Sequence, residues 1–348
     1  MPVRRNSPLA ATDLAAEHDP GFDIAAARGV AAASVIDDAQ TGAAISTHEG
    51  RTIRVGTASW TDLTMTKGGV FYPRGTSTAD ARLRYYASQF SVVEVDSTYY
   101  SLPDVTIAQL WAQRTPTTFQ FHIKAHALMT GQPTEVARLP KGLADALPSK
   151  LRAQSKLYAK DLPPELTDAV WENFVSALSP LRDTDKLGSI LLQYPRWFLP
   201  TRENRDLLAD SARRLAGIPA SVELRNGVWF RDASASTRTL DMLRELGLTH
   251  VIVDGPQGLA SSVPFVPEVT TDALAMVRFH GRRAATWEAP GVPTVERYRY
   301  LYSGDELAPL VASIRTVSKH VAQTVAFMNN CYGNYGATNA REMLALLS

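Results

Sequence analysis

The chain has 348 residues, 45% hydrophobic and 20% charged, with a formal net charge of +1. These proportions exclude wholesale disorder and give no global attraction to nucleic acid or membrane surfaces. A single cysteine, Cys331, excludes an intrachain disulfide and a cysteine-rich zinc site and suits a reducing, cytoplasmic setting, while the length admits one α/β barrel or two smaller units.

Residues 1–50, rich in alanine and small polar residues, read as a disordered arm with one short helix over 24–36. Arg4 and Arg5 precede no apolar run before Asp13, Glu17 and Asp19, so no secretion signal is expected. No stretch approaches the roughly 20 apolar residues of a membrane span. From Arg54 the texture changes to short β-branched runs: RVGTASW, SVVEVDSTYY, FQFHIKAH, GSILLQYP, SVELRNGVWF, THVIVDG, MVRFHGR and TVAFMNN. Amphipathic spacing between them predicts helices over 79–90, 106–114, 166–178, 202–215 and 236–246. The alternation predicts a closed (β/α)8 barrel of the TIM type over 51–348, with a doubly wound open sheet as the alternative. Two connections depart from the rhythm. The first, 127–165 after the third strand, carries Arg138, Lys141, Lys150, Arg152, Lys156 and Lys160 and reads as an active-site lid or a nucleic-acid contact. The second, GRRAATWEAPGVPTVERYRYLYSGDEL after the seventh strand, reads as an ordered aromatic flap.

Side chains alternate across a strand, so Phe119, Phe121, Ile123 and Ala125 face one way and Gln120, His122, Lys124 and His126 the other. The same division sets Val93 and Val95 against Glu94, Asp96 and Thr98, Val222 and Leu224 against Glu223 and Arg225, and Val277 and Phe279 against Arg278 and His280. The sixth and eighth strands finish at Asp254 and at Asn329 with Asn330. In a barrel the C-terminal strand ends converge on one mouth, which makes this polar face the expected active-site lining. The structural alternative is a salt-bridge network of Glu94, Lys124, Glu223, Arg225 and Arg278 that fills the barrel.

At these residues the sequence resembles the YecE-like family, domain of unknown function 72. The resemblance spans roughly 51–347 and rests on RVGTASW, FYPRG, LRYYASQFSVVEVDSTYYSLP, FQFHIKAH, LLQYPRWF, VELRNGVWF, VRFHGR and FMNNCYGNYGATNARE in that order. It implies a TIM-barrel-like fold and no named activity. The family-like polar positions are Trp60, Glu94, Ser97, Thr98, Lys124, Gln193, Glu223, Arg225, Asp254, Arg278, His280, Asn329 and Asn330. His122 stands where a small residue is common in relatives, and Asp96 where asparagine is.

Among these residues Glu94, Lys124, Glu223, Asp254 and His280 are the candidate catalytic groups, and Trp60, Thr98, Gln193, Arg225, Arg278, Asn329 and Asn330 the candidate substrate contacts. The cations at one mouth suit a small anionic or phosphate-containing substrate. A helix expected to begin near Ala340, behind Gly333 and Gly336 and capped by Thr338 or Asn339, would offer exposed amides to an anion. Phosphodiester hydrolysis is the leading reaction, with Glu94 or Glu223 as acid or base and His280 as proton shuttle. No cofactor is expected. A divalent metal on His122, His126 and Asp96 is the weaker alternative, opposed by the Lys124 charge between the histidines. A Schiff-base lyase using Lys124 is the second reading. A nucleic-acid-binding protein without catalysis, using the basic loop and Trp60, Tyr99, Tyr100, Trp197, Trp229 and Phe230, is the third. Oligomeric state is left open.

Overall fold

The computed structural model describes residues 45–48, 50–67 and 71–348. Its strands are β1 Ile45–His48, β2 Arg51–Ala58, β3 Val92–Val95, β4 Gln120–Lys124, β5 Thr134–Glu135, β6 Lys156–Leu157, β7 Leu187–Tyr194, β8 Ala220–Leu224, β9 Thr249–Asp254, β10 Leu274–Phe279 and β11 Gln323–Met328. In space the order runs β2, β11, β10, β9, β8, β7, β4, β3, all parallel, and β3 pairs back onto β2 through Thr57 with Val93 and Ala58 with Glu94. The sheet is therefore the closed barrel that the alternation predicts, not the open alternative. β1 lies antiparallel on the first half of β2, along the edge that the short β3 does not reach. Of the expected arm, 45–48 is thus a strand; most of the rest, the helix over 24–36 included, lies outside the described residues.

The predicted helices form at Ala79–Gln89, Val105–Gln113, Pro164–Ala177, Arg202–Arg214 and Ala233–Glu245. Most start on a side chain that accepts an otherwise unpaired amide of the first turn: Thr78 from Ala81, Asp104 from Thr106, Thr201 from Asn204 and Asp232 from Ala235. Their apolar stripes pack on the outward residues of the strands, such as Val93, Val95, Phe121, Ile123, Val222, Val277 and Phe279. The lumen holds its own apolar layer of Val92, Leu191, Val251, Val253, Leu274, Met276, Val325 and Phe327. Above this plug the lumen-facing residues turn polar.

The connection 127–165 is not a structureless loop. β5 and β6 pair antiparallel as a short ribbon around helices Lys141–Ala146 and Ser149–Arg152, and buried Leu139, Leu147 and Leu157 join it to the core. The flap after β10 holds helices Ala284–Trp287 and Thr294–Arg297 and is pinned at its two ends, as Arg282 and Tyr302 both bond Asp254. No helix among the described residues is long and apolar enough to cross a membrane.

Candidate active site

At the mouth, Arg278 on β10 is the centre of a buried ion cluster and only 1% exposed. Its Nε and Nη2 donate to Glu94 on β3 at 2.7 and 2.6 Å, and its Nη1 donates to Glu223 on β8 and to the Gln193 side chain on β7 at 3.2 Å. Both carboxylates are fully buried. Such a set is tolerable because Arg278 and Arg225 balance Glu94 and Glu223 one for one; an unpaired charge there would cost several kcal/mol. Arg225 completes it with its Nε 3.0 Å from Glu223. Burial would raise the Glu223 carboxyl, but Arg278 and Arg225 outweigh it and hold it well below the usual carboxylate range.

His280 continues the cluster without joining its charge. Its Nε2 lies 3.1 Å from Glu223 and its Nδ1 2.8 Å from the Asn329 amide nitrogen. A carboxylate accepts and an amide nitrogen donates, so this is the neutral Nε2–H tautomer with both ring nitrogens engaged. Burial, with the Arg225 charge behind it, pushes the imidazole down to about 3. His280 therefore holds Glu223 and Asn329 in place and stays uncharged at neutral pH.

Lys124 is the exception among the mouth cations. Among the described residues it has no ion pair, because Glu94 is turned to Arg278; its Nζ instead sits 4.8 Å above the Tyr99 ring. Burial and Arg278 lower the amine to about 8, with Glu94 and Asp96 opposing. Asp96, at the β3 end, is raised to about 6 by burial, against the pull of Lys124. The salt-bridge network thus takes four of the five residues proposed for it and leaves out the lysine.

A cleft of about 250 Å³ opens beside the cluster, lined by Gln193, Arg225 and Gln132, by Trp197 after β7, and by Trp287 and Tyr298 of the flap. Arg225 donates from Nη2 to the Tyr298 hydroxyl at 2.6 Å and stacks on Trp287 at 5.4 Å. Among the described residues its Nη1 is buried without a hydrogen-bond partner. The Tyr99 hydroxyl donates to Gln132 at 2.9 Å, which connects the lysine platform to the cleft wall.

Other expected site residues face elsewhere. Trp60 follows Ser59, whose φ of 86° turns the chain, and its indole packs on Trp111 and Phe121 under a helix. Asp254 is on the outward face because Val253 beside it fills the lumen; its carboxylate clamps Arg282 and Tyr302. The Thr98 hydroxyl is spent on the Lys124 carbonyl at 2.6 Å and thereby ties the β3 and β4 ends. Asn330 is buried and bonds Tyr300 and Asn339. Of the three weak metal candidates, His122 bonds Ser189 inside the barrel at 2.8 Å, and His126 accepts from the Leu128 amide at the start of the turn Ala127–Thr130. Asp96 stands with Lys124, and no described group of three His, Cys, Asp or Glu residues could hold a metal ion. The last helix begins at Tyr335 rather than Ala340, and its first turn is buried, so the expected exposed amides are absent there. The residues missed by sequence reasoning are Gln132, for which the sequence carried no signal, and the flap's Trp287 and Tyr298, signalled only by the flap's aromatic richness.

The family model for protein of unknown function DUF72 matches residues 54–348. UPF0759 protein YunF of Bacillus subtilis is 29% identical over 298 residues, 85% of this chain and 94% of that protein. A DUF72 family protein of Thermotoga maritima, solved as a crystal structure, is 30% identical, with a TM-score of 0.66 over 85% of this chain and 98% of that one. Another, from Enterococcus faecalis, is 27% identical, with a TM-score of 0.67 over 85% and 95%.

Proposed function

The chain belongs to the DUF72 family, and we propose that it is an enzyme acting on a small anionic carbonyl compound, with Lys124 as the attacking amine. The observation that carries this reading is the unpaired state of Lys124 beside a fully paired cluster. With its amine lowered to about 8, roughly a tenth is free base at pH 7. The nitrogen lone pair adds to the carbonyl carbon, and the carbonyl π pair moves to oxygen, which takes a proton while the added nitrogen gives one up. A second proton on that oxygen lets water leave and gives the protonated imine. Asp96, raised to about 6, carries protons in these steps at neutral pH. The partnerless Nη1 of Arg225 receives the substrate's anionic group, and the protonated imine then draws electrons from a neighbouring bond.

Phosphodiester hydrolysis finds less support, because the carboxylates and the imidazole expected to activate water for it are engaged. Glu94 and Glu223 are held by Arg278, and His280 has both nitrogens engaged. Nucleic-acid binding by 127–165 also loses ground, since Arg152 bonds the carbonyls of Asp145 and Leu147 and Arg138 pairs with Glu135. A cytoplasmic setting suits the free thiol of Cys331.

Borohydride reduction at pH 8 with a panel of 2-oxo acids and phosphorylated aldehydes tests the reading. A mass increase of one reduced adduct is expected on the native protein and not on Lys124→Met. No adduct with any panel member, or an equal one on the variant, removes the imine mechanism.

A further inference from the structure

We infer that the cleft beside Arg225 is a slot for a flat, π-bearing ring that carries a single carboxylate or phosphate. This deepens the reading above and rests on it for the anion at Arg225; the ring rests on separate observations. Trp197 lines the cleft and is 57% exposed, and among the described residues no ring or cation packs on it. An indole is costly to leave in water and offers a π face of high stacking value. Trp229, by contrast, is fully buried with its ring nitrogen bonded to the Phe198 carbonyl, so the exposure of Trp197 is not shared by the tryptophan after the next strand.

The cleft is also narrow and stiff. At Gly227 a Cβ would lie 2.2 Å from the Ser262 carbonyl oxygen, so the loop after β9 is packed directly on the turn after β8. On the flap side Trp287 is fixed between the Arg225 guanidinium and the Tyr298 ring, which meets it edge-on at 84°. A volume of about 250 Å³ admits a metabolite-sized ring. The charge requirement comes from Arg225 itself: its Nε and Nη2 are taken, and its Nη1 is buried without a partner. An ionised oxygen satisfies that donor best.

The test uses unreactive probes: 2-naphthoate and 2-naphthyl phosphate as flat anions, decalin-2-carboxylate as a puckered anion, and 2-naphthamide as a flat neutral ring. Isothermal titration is combined with the Trp197 indole NMR signal. One flat anion is expected to bind about tenfold or more tighter than the puckered acid and the amide and to move the Trp197 signal. The preference between carboxylate and phosphate identifies the anion. Trp197→Leu, at an exposed position, should erase the advantage of flat over puckered, and Arg225→Gln the advantage of charged over neutral. Absence of saturable binding by both flat anions, or equal affinity for flat and puckered acids, overturns the slot. The titrations read the cleft and borohydride trapping reads Lys124, so loss of the imine reading and loss of this one are separately visible.

Discussion

At the scale of single residues, Arg278 and Lys124 show opposite relations between stability and use. Arg278 satisfies two buried carboxylates at once. Arg278→Met should therefore cost about 3–5 kcal/mol in urea unfolding, because Glu94 and Glu223 are left buried and uncompensated. Adding Glu94→Gln and Glu223→Gln should restore much of the loss; if the triple variant is as unstable as the single one, charge pairing is not what Arg278 supplies. Lys124 runs the other way. Its folded amine, near 8, lies below the value of a free lysine, so the unfolded chain holds the proton more tightly and folding is penalised at neutral pH. Lys124→Met should raise the melting temperature at pH 7 by about 1–3 °C while abolishing the adduct, and a lower melting temperature would contradict the unpaired state. These two residues were legible from alternation because β4 has one polar and one apolar face and the end of β10 sets Arg278 and His280 against Val277 and Phe279. Asp254 was not, since Val251, Ile252 and Val253 make β9 apolar on both faces and only the closed barrel decides which side is the lumen. Trp60 escaped for a different reason: the positive φ at Ser59 interrupts alternation one residue before it.

At the scale of elements, the 127–165 segment is the clearest departure from expectation. Its prolines and lysines read as a lid or a nucleic-acid contact, yet Leu139, Leu143, Leu147 and Leu151 recur every fourth residue, a helical stripe cut by Pro140 and Pro148 into two short helices. Leu157 on β6 is fully buried and anchors the far end. If the ribbon folds as one unit with the barrel, Leu157→Ala should lower global stability by about 2–5 kcal/mol. Limited trypsin digestion offers the cheaper readout: Lys141, Lys150 and Lys156 should resist cleavage in the native protein and be cut rapidly in the variant. Equal cleavage of both would mean that the segment opens independently of its leucine anchor. The barrel helices were easier to read because none of the five is cut by an internal proline and most begin on a capping side chain. Their observed starts and ends fall close to the predicted ones for that reason.

At the scale of the whole molecule, the distribution of buried histidines sets the pH range in which the fold is stable. His122, His126, His250 and His280 are all buried, and burial lowers them to about 3, 4, 4 and 3. His122 packs against Phe327 with Ser189 on Nδ1, His126 accepts from the Leu128 amide, His250 packs against Phe230, and His280 lies between Glu223 and Asn329. In the unfolded chain the same histidines take up protons near pH 6.5. Their contribution is therefore fully present above that pH and falls as the solution is acidified toward the folded values, where the folded protein at last protonates too. Up to four more protons are bound by the unfolded chain in this window, each worth roughly 1.4 kcal/mol per pH unit at most. Glu223, held well below its ordinary value, adds a loss in the same direction only at more acid pH, below the range of a free carboxyl. Urea unfolding at pH 7.5, 6.5, 5.5 and 5.0 should show a loss of stability that begins near 6.5, offset by up to one proton at Asp96, whose carboxyl, raised to about 6, protonates first in the folded protein. His280→Gln keeps the hydrogen-bonding shape of that position and should reduce the slope by close to one proton. A flat profile between 7.5 and 5.0, or an unchanged slope in the variant, would show that these rings are not held neutral by the fold.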